Sequence, residues 1–534
     1  MSFYEESSIV ITPNAYKAGT LYAINPASGL ADMDVTRATA ATRVDESGLV
    51  NYADVIGDSI LTGNNSTFDT GIGSWVTYNG GTLAHSTDKL EVTLTSGESG
   101  ARINTNSLIS GGQSGKTFKV RARIWKGTST NSTIAIFIGG AQKFITISPT
   151  PTYFEAELTA ANTSMLTIYR AGGGGGVGTY FIDDVTVKEV TRDNVPRIDY
   201  TGGGCPHILS EPQRTNLLQY SEAFNSWNTK ENVTVAEDTS ETTSPSGNNT
   251  ASKITINSGS TPRRLFEVVS TGSGSDYTFT LYAKKGTTDY IRILCTSVLF
   301  DVNFDLTNGT KTVTTGIGSI ESVGNDWYRI QGTGTSSLTN EVPQIQLSGS
   351  ASVSDYLYIW GSQFEQGSYA TSYIPTSGST VTRNKDVFTR DGIGSLIGTE
   401  GVLFVEMAAL SNDLTNRSIS LNDGTSSNRL LLYFSSASNQ IAVISTGFTG
   451  SINYAVSDET SFNKFAVRYK DNDVTLWVDG ASRGTPITSA TIPTFTALKF
   501  DSGAGASPFY GKVKQLQVYP TALSDAELTI LTTP

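Results

Sequence analysis

Stretches with a two-residue hydrophobic period, such as Phe118-Lys-Val-Arg-Ala-Arg-Ile-Trp125 and Thr133-Ile-Ala-Ile-Phe-Ile138, recur along the chain and constrain its fold more than any other feature. A period of two puts successive side chains on opposite faces of a half-buried strand. Gly makes up 53 of 534 residues and charged residues only 16%, which favours many short strands joined by tight turns. The length exceeds what one core holds and allows three or four domains of roughly 100–200 residues each. The fold class expected is all-β.

The net charge of −12 repels phosphate backbones, so nucleic acid is not an expected partner. Cys205 and Cys295 are the only cysteines, which excludes a disulfide framework; both are expected reduced and buried. Residues 1–20 lack a charged region followed by an apolar one, and no apolar run approaches the roughly 20 residues of a membrane span. A soluble chain with no membrane insertion is the expectation. The two histidines, His85 and His207, lie far apart in sequence, so Ser-His-Asp or Cys-His catalysis has few places to reside. Cys205-Pro-His207 is the one pairing, and no metal-ligand pattern surrounds it. The Gly172–Gly178 run precedes a strand-like Tyr180-Phe-Ile-Asp183 and not a helix, so it reads as a mobile loop tip, not a phosphate cradle.

The stretch Asn194–Phe224 carries the least generic residues. Val195-Pro196-Arg197, Asp199-Tyr200, a Gly cluster, Glu211-Pro212 and Arg214-Thr215-Asn216-Leu217-Leu218 follow one another in a pattern that resembles a junction segment of bacteriophage virion proteins with fibre, spike or decoration roles. An interdomain turn rich in Pro, Gly and Asn is the plain alternative. Arg197, Asp199, Glu211 and Arg214 are four charges close together in a charge-poor chain, and they read as a buried or interface ion-pair cluster with a structural role. Asp34–Val50, with Asp34, Arg37, Arg43 and Gly48, resembles the segment that precedes this junction in the same phage proteins, where the two run close together. Here about 145 residues separate them, as an inserted domain would.

The inserted stretch opens with Phe68 and Trp75 and closes with Tyr180-Phe-Ile-Asp183-Asp184-Val-Thr-Val-Lys-Glu-Val190, and in this it is similar to carbohydrate-binding modules with a jelly-roll fold. Phe224-Asn-Ser-Trp227, Tyr277–Gly286 and Tyr356–Glu365 repeat the plan, as a second, diverged copy would. Ser377–Asn384 reads as a short linker. Asn463–Tyr469, Asp473–Gly480, Phe509–Tyr519 and Thr521–Leu528 in that order resemble the laminin-G and concanavalin-like lectin family, with Asn463 in place of a frequent Trp. Ser524 and Glu527 form a helix-capping box. The chain is thus expected to be tandem jelly-roll β-sandwiches with a C-terminal concanavalin-like sandwich and an extended N-terminal arm. The segments are a virion-anchoring arm (1–57), an inserted carbohydrate-binding-like domain (58–190), the hinge (191–213), a second jelly roll (214–384) and the lectin-like domain (385–534).

These resemblances imply a non-enzymatic phage virion protein, made in the host cytoplasm and carried on the particle surface. Its partners would be other virion proteins, through the N-terminal segment, and bacterial surface polysaccharide, with the protein itself expected as a homotrimer. A structural decoration protein without glycan binding and a polysaccharide-degrading enzyme are the alternatives. Loops between strands of a rigid sandwich carry function. In the C-terminal module Asp413, Asn422 and Asp423, with the nearby rings of Tyr433 and Phe448, have the parts of a weak glycan site. Trp477 lies mid-strand and reads as core. Asp183 and Asp184 are candidate ligands of a structural calcium, or equally a turn or strand end, and no other cofactor is implied.

Overall fold

The computed structural model describes residues 3–95, 97–171, 177–295 and 299–534, so Gly172–Gly176 of the glycine run lie outside the described residues. The protein is all-β apart from short helical segments. Residues 54–191 form one compact unit; residues 1–53 together with 192–534 form the other.

Residues 54–191 are a sandwich of two antiparallel sheets. One orders Thr152–Thr159, Thr117–Lys126, Gly178–Thr191, Leu90–Leu94 and Thr82–His85, with Val55–Ser59 paired to Gly178–Thr191. The other orders Ala141–Thr146, Thr133–Ile138, Leu166–Arg170, Gly100–Ile103 and Val76–Tyr78. Phe118, Val120, Ala122 and Ile124 all point inward, onto a core shared with Ile134, Ile136 and Ile168.

Residues 214–384 repeat this arrangement within the second unit. Trp327–Thr335, Asp276–Lys284, Tyr356–Gln366, Ser252–Ile256 and Val233–Ala236 stand in the same order, extended at one edge by Ile317–Ser322. The correspondence reaches irregular features. In the first copy Arg121 pairs with Thr186 and Arg123 with Asp183, leaving a bulge in which Asp184 has φ +47°. In the second, Thr280 pairs with Gln363 and Tyr282 with Trp360, and Gly361 occupies the bulge with φ +60°. A bulge adds a residue with no ladder partner and admits a left-handed backbone, which glycine adopts without strain and aspartate with little. The opening tryptophans correspond too: Trp75 Nε1 donates to the Asn65 carbonyl and Trp227 Nε1 to that of Tyr220.

The third sandwich is not confined to residues 385–534. Its continuous sheet path runs through Ile9–Lys17, Thr20–Asn25 and Met33–Thr36, which lie between Gly511–Tyr519 on one side and Val387–Asp391 on the other. Ile9 pairs with Val518 and Ile11 with Leu516, while Val35 pairs with Phe388. The first 57 residues are therefore extended but are not a separate arm. Ile9, Ile11, Leu21, Met33 and Val35 are buried in the core that holds Leu403, Val405, Phe434 and Leu516, and exposing them would forfeit the hydrophobic stabilisation of the whole seam. The hinge is drawn in as well: His207–Ser210 adds to Gly511–Tyr519, with Ile208 opposite Val513. At the C-terminus, Asp525–Thr532 is a helix with the Ser524–Glu527 capping box. Its Leu528 and Leu531 pack with Trp477, Phe404 and Val402, and Trp477 is 6% exposed. Asn463 is buried, and its amide donates to the carbonyls of Asp458 and Ser461 at 3.1 and 2.8 Å.

The points where the chain leaves and re-enters this sandwich are tied by buried charges. Arg37 contacts Asp386 at 2.7 Å, Arg197 contacts Glu211 at 2.5 Å and also Asp386, and Arg383 contacts Glu211 at 2.7 Å. All five are at most 3% exposed. Burial alone would raise the carboxyl pKa values, but Arg383 and Arg197 hold Glu211 well below the usual range, and Arg197 and Arg37 do the same for Asp386. The expected cluster is thus half right. Arg197 and Glu211 belong to it, whereas Arg214 lies 3.8 Å from Glu365 and Asp199 accepts from the backbone of Val44 and Thr201. The stretch read as a linker contributes Arg383. Cys295 is buried, but Cys205 is exposed on the glycine turn, contrary to expectation.

Candidate functional site

The outward positions of Thr117–Lys126 are Lys119, Arg121, Arg123 and Trp125, and the two flanking strands complete an exposed face on the 54–191 sandwich. Register sets Tyr153 and Asp183 on either side of Arg123, and Phe181 beside Trp125. Tyr153 is 45% exposed. The Arg121 guanidinium lies 3.6 Å from the centre of the Tyr153 ring, and the Tyr153 hydroxyl donates to Asp184 at 2.5 Å. That hydrogen bond raises the Tyr153 pKa. Trp125 and Phe181 hold their ring centres 5.3 Å apart, with Arg123 5.6 Å from the Trp125 ring and Lys89 5.2 Å from that of Phe181. Three rings, each with a cation against it, and two carboxylates thus share one solvent-facing sheet surface.

Such a surface matches a hydroxylated ring: aromatic faces take its C–H side, while guanidinium and carboxylate groups take its hydroxyls. The second copy has the same sheet face, but there it is covered. Tyr282, Trp327, Tyr358, Trp360 and Tyr373 form a buried cluster with Val50 of the N-terminal hairpin.

Asp183 and Asp184, the candidate calcium ligands, belong to this face, where protein groups engage both. Asp183 lies 3.7 Å from Arg123, Asp184 accepts from Tyr153, and the positive φ of Asp184 is that of the bulge. Among the described residues no group of three His, Cys, Asp or Glu is placed to hold a metal ion.

The five residues expected to bind in the C-terminal module are not gathered into one site. Asp413 and Asn422 flank opposite ends of the strand Arg417–Asn422, roughly 15–20 Å apart. Asp413 is taken by the buried Arg417 at 2.5 Å. Asn422 is fully buried; its amide donates to Ser420 Oγ and its carbonyl oxygen accepts from the Gly424 amide, so it builds the loop and offers nothing to solvent. Asp423 accepts from the Thr425 side chain and from Asn428, bonds that lower its pKa. Tyr433 sits half-buried in mid-strand, and Phe448 packs against the core. Sequence reasoning missed Trp125, Tyr153 and Phe181. Trp125 was signalled by falling on the polar phase of its strand, whereas Tyr153 and Phe181 join it only through cross-strand pairing.

Residues 404–529 match the family model described as the concanavalin A-like lectin/glucanases superfamily. No curated protein sequence matches the chain. Among solved structures it is similar to the CBM40 of a Ruminococcus gnavus IT-sialidase, at 19% identity over 25% of this chain and 82% of that one, with a TM-score of 0.22. It is also similar to the CBM22-1–CBM22-2 tandem domain of Paenibacillus barcinonensis Xyn10C, at 12% identity over 58% and 98% of the chains and a TM-score of 0.21. A third is the LG4-5 domains of the mouse laminin alpha1 chain, at 10% identity over 48% and 88%, with a TM-score of 0.19. At these scores no residue role follows from them. The C-terminal module thus has a concanavalin-like fold, set in a chain that is otherwise tandem β-sandwiches.

Proposed function

We propose that the protein is a non-catalytic glycan binder whose contact surface is the Tyr153–Trp125–Phe181 face. The observation that carries this is a solvent-facing sheet surface bearing three rings with cations and carboxylates among them. A monomeric surface without a partner seldom gathers such groups. The lectin family match supports the same class of ligand. The hinge and Asp34–Val50 resemblances extend the proposal to a virion surface and to bacterial polysaccharide as the target, with trimeric association multiplying a weak single-site affinity.

The test is binding of the full-length protein to a panel of purified bacterial surface polysaccharides, compared with a Tyr153→Ala/Trp125→Ala double variant. Both side chains are partly exposed, so the variant keeps its melting temperature within a few degrees, and polysaccharide binding should fall at least about ten-fold, each stacked ring contributing roughly 0.5–1.5 kcal/mol beyond its buried area. Equal binding by a folded double variant would remove this face from the function. No binding by the parent protein to any polysaccharide would favour a decoration role.

A further inference from the structure

We propose that the covered sheet face of the second copy keeps a separate binding site, for a single carboxylate-bearing sugar unit. In the first copy Arg123 and Tyr153 are paired across strands; in the second the paired positions hold Tyr282 and Arg329. The cation–ring contact is retained with its partners exchanged, the Arg329 guanidinium lying 5.6 Å from the Tyr282 ring. The N-terminal hairpin, the hinge and the C-terminal sandwich roof this face but do not fill it. They leave a cleft of about 230 Å³ whose walls include Arg43, Asp199, His207, Tyr282, Arg329 and Lys512.

Size and charge choose the ligand class. Drug-sized ligands occupy roughly 300–1,000 Å³, so this cleft takes one small ring and not an oligomer. Arg43, Arg329 and Lys512 face Asp199, Glu211 and Glu321 in its walls. The buried cluster behind it adds Arg37, Arg197 and Arg383 against Asp386 and the buried Glu365, so positive charge is in excess by one. In a chain of net charge −12 this is a local reversal, and it favours an anion. Unused donors are present. Arg43 Nε and Arg329 Nε are buried without a hydrogen-bond partner, and His207, 2% exposed, holds Nε2 at 3.4 Å from Asp199 without bonding to it. Guanidinium groups fit a carboxylate, and the unpartnered imidazole nitrogen of His207 suits a hydroxyl.

The experiment is calorimetric titration of the full-length protein with glucuronate, glucose and acetate. Glucuronate should bind, and glucose and acetate should bind at least about ten-fold more weakly. Lys512→Gln and Arg43→Gln, both at partly exposed positions, should each weaken glucuronate about ten-fold, the melting temperature confirming that each variant is folded, while Tyr153→Ala/Trp125→Ala leaves it intact. Equal affinity for glucose or acetate overturns the assignment, as does glucuronate binding unaffected by both cleft variants. Loss of glucuronate in the sheet-face variant alone would place it on the 54–191 face, sinking this proposal and not the first. Polysaccharide binding retained by Lys512→Gln keeps the two sites distinct.

Discussion

Replacing Ile11 by Ala tests whether the N-terminal segment is part of the C-terminal sandwich. Ile11 has no exposed surface and lies opposite both Leu516 and Ala23, in a core with Leu403 and Phe434. Truncating a fully buried isoleucine costs about 2–5 kcal/mol, the transfer of the lost methyl groups plus the cavity they leave. For a cooperative unit of roughly 200 residues each kcal/mol moves Tm by about 2–4 °C, so a fall of roughly 4–20 °C is expected. Ile24, in the same segment but 48% exposed, is the control: Ile24→Ala should stay within about 0.5 kcal/mol. Scanning calorimetry gives the midpoints, and limited proteolysis shows whether cleavage within residues 385–534 accelerates along with it. If Ile11→Ala melts no lower than Ile24→Ala, the segment is a loose arm and the sheet path described above is wrong.

Asp386→Ala should destabilise by about 3–5 kcal/mol in urea titration, because Arg37 and Arg197 would remain buried with one carboxylate fewer between three guanidiniums; Glu155→Ala, which removes a pair with both side chains more than 40% exposed, should cost at most about 1 kcal/mol. Burial lowers the His207 pKa to about 4, with Asp199 opposing in part. The unfolded chain binds that proton near pH 6.5, so the folded state loses about 3 kcal/mol as pH falls from 6.5 to 4, and His207→Phe should flatten stability over that window. Glu211 and Asp386, with depressed pKa values, contribute stability that is complete above pH about 5 and lost progressively below it.

The periodicity of Phe118–Trp125 and the Ser524–Glu527 box were legible because a strand's facing and a helix cap depend on residues a few positions apart. Arg197 and Glu211 were legible because charges stand out in a chain with so few. Their partners Arg37, Arg383 and Asp386 come from stretches about 160 residues upstream and 170 downstream, and no local rule links them. The same gap misled the reading of the N-terminus: Ile9 and Ile11 announced a strand, but the strand that receives them begins at Gly511, and pairing partners are chosen by burial of the whole seam. Asn422 has the composition of a binding loop, and only the packing of Ser420 and Gly424 around it shows that its amide is already used. Local chemistry determined that this chain is made of strands, where several of them run and where its last helix begins. Which faces stay open, Tyr153 in one copy and not Tyr282 in the other, was decided by what folds over them, a matter of non-local packing that sequence spacing does not encode.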